Sequence, residues 1–211
     1  MRGSDSFAKK ELIIIINNND IPVRPYRAMV KKYRNIRVYR KKEITTLGKC
    51  LNFGIRESKY SHIAKFDDDD YYAPRYLSDA MNLFRSKKVD VVGKRAHFLW
   101  LDGKKVLILR NPNRQYQRVR ILPGATLVFK KSVFRKVRFS NVDVGEDDKF
   151  CQKCRAKGYT VYSRGKYNFA ALRRKHSRDH TWIISEKKLL SGNVKVIRNV
   201  KNYKKFVTRN K

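Results

Sequence analysis

The stretch Phe66-Asp67-Asp68-Asp69-Asp70-Tyr71-Tyr72-Ala73-Pro74 decides how the rest of the chain is read. Four adjacent carboxylates repel one another, and a packed core has no use for them. They follow His62-Ile63-Ala64-Lys65-Phe66, a short and mostly apolar run of strand length. Carboxylates at the end of a strand, opening into a loop before a Pro-started helix, suit a divalent cation in an α/β protein. Hard cations such as Mn²⁺ or Mg²⁺ take oxygen ligands, typically one or two carboxylates plus substrate phosphates. The competing reading is a solvated acidic loop that caps the next helix.

Working outward, Glu11 to Asn17 (ELIIIIN) is a continuous apolar run, expected as a strand buried on both faces. It ends in Asn17-Asn18-Asn19-Asp20. Tyr26 to Tyr33 reads as a short helix, Ile36 to Tyr39 as a strand, and Leu47 to Glu57 as an amphipathic helix with Leu47, Leu51 and Ile55 on one face. Pro74 opens a helix whose Leu77, Met81 and Phe84 face the core, and Val89 to Gly93 is the next strand. The alternation of strands and helices predicts an α/β fold with a mostly parallel central sheet flanked by helices. Ligands of such sheets bind beyond the strand carboxyl ends, so one crevice can use both Asn17–Asp20 and the aspartates.

Downstream, His97–Leu101 and Val106–Leu109 flank Asp102-Gly103 and predict a small antiparallel hairpin section. Pro123-Gly124-Ala125-Thr126 is a turn running into a strand. Gly145-Glu146-Asp147-Asp148 opens a helix, because acids belong in a first turn, and Lys157-Gly158 closes it. Thr160–Tyr162 and Phe169–Leu172 are short strands, and Thr181–Leu190 a helix. The stretch 194–211 holds seven Lys or Arg and no acid, and is expected as a peripheral element or loose arm. The whole is read as one domain over 1–211: a nucleotide and metal half over 11–93, an acceptor half over 94–190 and a basic tail over 191–211.

Charge is the outlier of the composition. The 211 residues include 52 Lys and Arg against 18 Asp and Glu, a formal balance of +34. Such a field attracts polyanions or an anionic membrane face without choosing among them. Yet eight of the acids fall into two islands, Asp67–Asp70 and Asp143 with Glu146–Asp148. No apolar run is long enough to span a bilayer, no signal peptide is visible, and three cysteines fit a reducing compartment. The expected location is cytoplasmic, with peripheral contact at the inner membrane face. Cys151-Gln152-Lys153-Cys154 has metal-ligand spacing, but a zinc site lacks a fourth ligand.

Residues 47–77, with Asn52-Phe53-Gly54-Ile55 ahead of the acidic run and Pro74-Arg75-Tyr76-Leu77 behind it, resemble the central block of family 2 glycosyltransferases of the GT-A fold. Pro123–Thr126 resembles that family's acceptor-side glycine segment, Gly145-Glu146-Asp147 its ED motif, and His176–Trp182 a late histidine segment. Together they cover roughly residues 11–185 in the family's order. The family opens with a strand and helix; Glu11–Asn17 matches its second strand, so the resemblance implies a chain without the first unit and with an exposed apolar sheet edge.

The resemblance implies roles. Asp69 is the foremost metal ligand, Asp67 contacts metal or donor, Asp68 the donor ribose or metal, and Asp70 caps the following helix. His180 completes the metal shell, with His176 second. Asn17, Asp20 and Lys49 join the donor side, and Arg173-Arg174-Lys175 meet donor phosphates or are simply surface. Asp147 is the base that deprotonates the acceptor hydroxyl, with Glu146 placing the acceptor. Gly124 and Ala125 line the acceptor side, and Trp182 is a sugar platform or a packing anchor. The implied partners are a nucleotide-sugar donor, a UDP-sugar first, and an anionic glycan or lipid-linked acceptor, with no specific nucleic acid. The rival reading is a non-catalytic polyanion or nucleic-acid binder on the same scaffold. Against it stand the two acidic islands and the lack of an RNA-binding aromatic motif.

Overall fold

A computed structural model describes residues 9–174 and 186–209. The apolar run Leu12–Ile16 forms β1, followed by α1 (Arg24–Lys32), β2 (Ile36–Arg40) and α2 (Leu47–Glu57). Next come β3 (His62–Ala64), β4 (Tyr71–Tyr72), α3 (Tyr76–Ser86) and β5 (Val91–Gly93). The central section holds β6 (His97–Leu101), β7 (Val106–Arg110), β8 (Gln117–Arg118) and β9 (Val128–Lys130). After α4 (Glu146–Ala156) come β10 (Val161–Ser163), β11 (Phe169–Arg173), α5 (Glu186–Leu190), β12 (Val194–Ile197) and α6 (Tyr203–Val207).

The strands form a front pair and two five-stranded sheets, ordered β3-β9-β5-β10-β8 and β12-β7-β6-β11-β4. The α/β class and the hairpin section hold, but the pairings are mixed rather than mostly parallel. Parallel pairs are β1/β2, β5/β10 and β6/β11; the remaining six described pairs are antiparallel. The turn at Gly124–Thr126 leads into β9, which lies between β3 and β5, an order that periodicity alone does not reveal. In the hairpin, Leu101 pairs with Val106 across a four-residue connection, and the left-handed residue is Lys105 (φ 51°), not Gly103.

The main core lies between α4, β9 and the segment after it, where Phe129, Phe139 and Phe150 pack ring on ring at 4.2–6.2 Å. On the inner face of α3 the buried residues are Tyr76 and Ala80, with Leu77 and Phe84 only partly covered. The salt bridge Arg164–Asp79 at 2.8 Å and the bond from Asn168 Nδ2 to Asp79 hold this helix to the strands behind it. The basic tail is not a loose arm. β12 extends the second sheet beside β7, and α6 lays Val207 and Phe206 on Phe98, with Tyr203 stacked on Trp100 at 5.0 Å. α4 ends as expected at Gly158, whose φ of +79° suits a residue without a Cβ.

β1 departs from expectation. Only Ile16 is buried, and Leu12 is 44% exposed. Among the described residues, β1 pairs with β2 alone and β3 with β9 alone. In the parallel ladder Leu12 N–H and Ile16 C=O point to β2, so Ile13 and Ile15 turn their backbone groups the other way. Ser61 and Lys65 likewise point to β9, leaving His62 and Ala64 on the free edge of β3. Both free edges border one cleft.

Candidate active site

The cleft, about 2140 Å³, runs from these edges past the acidic loop to Pro123–Ala125, the start of α4 and one face of β6, β7 and β11. It brings Asp67–Asp70 and Glu146–Asp148 to the same opening. The first island is tethered by Tyr72. Its hydroxyl accepts the Asp67 N–H at 2.9 Å and donates to Ala125 C=O at 2.8 Å, tying the acidic loop to the glycine turn. Asp68 is exposed, and Asp69, like Asp67, is half-buried and lines the cleft.

Asp70 does something other than expected. Its Oδ1 accepts the Leu172 N–H at 2.9 Å, anchoring the loop to β11 rather than capping α3. The reason is spacing: β4 intervenes between the acids and the helix, which starts only at Tyr76 without a side-chain cap. Burial, with the charges of Asp67 and Asp69 adding, pushes the Asp70 carboxyl up to about 7.

The second island also divides by role. Asp143 Oδ1 accepts the Leu47 N–H at 2.8 Å, so it serves the N-terminus of α2. Glu146 is 5% exposed and its carboxyl is raised, first by burial and then by the charge of Asp147. Asp147 accepts the Gly124 N–H at Oδ2 (2.6 Å) and the Asp148 N–H at Oδ1 (2.8 Å). Backbone donors thus fix the orientation of this carboxylate, and each oxygen keeps a further lone pair for a ligand proton.

Between the islands stands Lys65, which sequence reasoning missed. It is 8% exposed, with Nζ 2.5 Å from Asp67 Oδ1 and 4.0 Å from Glu146 Oε1. A Cβ placed on Gly124 lies 3.2 Å from both Lys65 Nζ and Asp147 Oδ2, so the ammonium, both islands and the glycine turn share one small volume. The signal was present: a lysine interrupting an apolar strand two residues before an acidic run needs a buried partner.

Other expected residues are placed as follows. Asn17 lines the cleft and donates Nδ2–H to Thr45 C=O at 3.1 Å. Asp20 and Lys49 do not line it. Asp20 is exposed in a turn closed by its own N–H on Asn18, and Lys49 is exposed on the first turn of α2. His176, His180 and Trp182 lie outside the described residues. Cys151 and Cys154 are buried, burial pushes both thiols up to about 12, and among the described residues no group of three ligands includes them.

Among the described residues no group of three His, Cys, Asp or Glu side chains is close enough to hold a metal by itself. The donor set still fits a hard cation: Asp67 and Asp69 supply carboxylate oxygens at the cleft, and substrate phosphates and water supply the rest in such sites. No described helix is long and apolar enough to cross a membrane.

Comparison with known proteins places the chain in a family. The chain is 28% identical over 143 residues to the O-antigen biosynthesis glycosyltransferase WbnJ of Escherichia coli, covering 64% of this chain and 56% of that protein. Among solved structures, S. aureus TarS 1–349 in complex with UDP-GlcNAc aligns with TM-score 0.57 at 18% identity, over 80% of this chain and 60% of that one. A mannosyltransferase from Pyrobaculum calidifontis, PcManGT, in complex with GDP-Man and Mn²⁺, aligns with TM-score 0.56 at 16% identity, over 77% of this chain and 47% of that one. The chain thus spans about half the length of these relatives and shares their fold. The profile of glycosyl transferase family 2 matches residues 5–141, well over half of the sequence, and the chain belongs to that family.

Proposed function

We propose that the chain transfers a sugar from a nucleotide-sugar donor, a UDP-sugar first, to an anionic glycan or lipid-linked acceptor, with inversion and with a divalent cation. The observation that carries this is the meeting of two carboxylate islands at one cleft, joined through Lys65 and the Gly124 turn. A scaffold that only bound polyanions gains nothing from carboxylates gathered there.

In this reading Asp69 and Asp67 hold Mn²⁺ or Mg²⁺. The cation, when bound, neutralises charge on the departing diphosphate. Asp147 accepts the proton of the acceptor hydroxyl; that oxygen bonds to the anomeric carbon as the carbon–diphosphate bond breaks on the opposite face. The Gly124 N–H keeps the Asp147 carboxylate aimed into the cleft, and buried Glu146 holds Lys65 in place. Tyr72 keeps the donor loop and the acceptor turn in register.

Calorimetry with UDP-GlcNAc and GDP-mannose, with and without Mn²⁺, tests the reading. Donor binding is expected to need the cation and to be lost in Asp69→Ala. Asp147→Asn is expected to keep donor binding and to lower transfer by about 10³-fold. Metal-independent binding unaffected by Asp69→Ala removes the metal assignment, and undiminished transfer by Asp147→Asn removes the base.

A further inference from the structure

The rear wall of the cleft carries charge that neither the metal nor the base uses. Arg110 on β7 pairs opposite His97 on β6, and on β11 Ala171 and Arg173 pair opposite Leu99 and Leu101. Alternate residues of three adjacent strands thus turn one face, with His97, Leu99, Arg110, Ala171 and Arg173, toward the cleft. Arg95, which follows β5, joins them there, its backbone C=O 3.2 Å from His97 Nδ1. Arg95, Arg110 and Arg173 are all half-buried.

Half-burial of guanidinium groups is costly unless something answers their charge. The guanidinium groups of Arg95 and Arg110 neither donate a hydrogen bond nor form an ion pair with any described residue. Burial lowers the pKa of each, and the charge of Arg95 lowers that of Arg110 further. The carboxylate acting on Arg95 is Asp148, next to Asp147 in the first turn of α4; those acting on Arg173 are Asp69 and Asp70. Both acidic islands thus act on the cationic row, which lines the cleft they open into.

We infer that Arg95 and Arg110, flanked by Arg173, form a seat for a phosphate group of the acceptor, which makes the acceptor a phosphate-bearing polyol or glycan. Guanidinium groups bind oxyanions through paired N–H donors, and the tetrahedral oxygens of a phosphate accept such forks from different directions, whereas those of a carboxylate lie in one plane. The seat and Asp147 line the same cleft, so a phosphate held there can present a neighbouring hydroxyl to the base. The catalytic meaning rests on the glycosyl-transfer reading above; the binding site itself does not.

The test uses the full chain in 150 mM salt, with a synthetic trimer of glycerol phosphate as acceptor probe and UDP with Mn²⁺ as donor probe. The double variant Arg95→Gln/Arg110→Gln is compared with Lys201→Gln/Lys205→Gln, which removes the same charge from the exposed tail. The arginine variant is expected to lose about tenfold or more in affinity for the trimer and to keep its affinity for UDP. The lysine variant is expected to change neither by more than about twofold. Unchanged trimer binding by the arginine variant, or equal loss in both variants, overturns the seat. Loss of UDP affinity with the trimer retained assigns the arginines to the donor diphosphate and overturns the acceptor assignment. If wild type binds the trimer but no nucleotide, the transferase reading fails while the seat stands. Should the arginine variant unfold, the Arg Nε–H resonances of wild type decide: those of Arg95 and Arg110 shift with the trimer and not with UDP.

Discussion

β1 and β6 are both five residues long and both strongly apolar, yet they live differently. All five residues of His97–Leu101 are buried, whereas Leu12–Ile16 buries only its last. β6 is held on one side by β7 and on the other by β11, and covered by α6. Among the described residues β1 has one neighbouring strand, and it turns its other edge to the cleft. Apolar sequence makes a strand in both cases; the number of neighbours decides how much of it leaves water. Stability is therefore expected to sit in the rear sheets, and the front pair to be the weaker unit.

The largest effect should come from this difference. Phe98 is 1% exposed and packs against Tyr167 and Phe206, so Phe98→Ala should cost about 3–5 kcal/mol. Ile14, half-exposed on β1, should cost about 1 kcal/mol or less on the same substitution. Urea unfolding of both variants measures the contrast. Equal losses would mean that the front pair is as well covered as the rear.

The same contrast explains what was legible beforehand. Element identity was, because periodicity and turn residues are local: α2 spans Leu47–Glu57 as read, and α4 starts and stops at its acids and its glycine. Sheet order was not, because β9 inserts antiparallel between β3 and β5 through contacts distant in sequence. At the site, the two islands were legible as charge anomalies, and the structure unites them. The split within each island was not. That Asp70 serves β11 and Asp143 serves α2 depends on where backbone N–H groups end up. Lys65 was masked by +34 of background charge; its signal lay in its place within an apolar strand, not in its charge.

A smaller effect belongs to His97, on the same wall as Arg110. Burial, with the charges of Arg110 and Arg95 adding, pushes its imidazole down to about 4. The unfolded chain therefore binds a proton that the folded chain refuses between about 6.5 and 4. Its contribution to stability is complete above pH 6.5 and is lost as pH falls toward 4, by at most about 3 kcal/mol. His97→Gln, which cannot protonate, should flatten that limb of the stability–pH curve. An unchanged acid limb would place the titration in other groups, and β1, which carries no histidine, offers the control region by amide exchange across the same range.

The smallest effect is the most informative about the site, because two measurements should move oppositely. Lys65→Met keeps the bulk of the side chain and removes the ammonium. Asp67 then loses a cation at 2.5 Å, and buried Glu146 loses the charge that opposes the upward shift of its carboxyl. Breaking a buried ion pair costs several kcal/mol, but Asp67 is 37% exposed and water screens it, so about 1–2 kcal/mol of stability at neutral pH is expected to go. Mn²⁺ affinity should rise, since the ammonium no longer competes for the Asp67 carboxylate. A less stable protein that binds Mn²⁺ more tightly identifies Lys65 as the resident counter-charge of the donor loop. Metal affinity falling together with stability would instead show that Lys65 builds the cation site by holding Asp67 in position, and that the two islands cannot be prised apart without losing both.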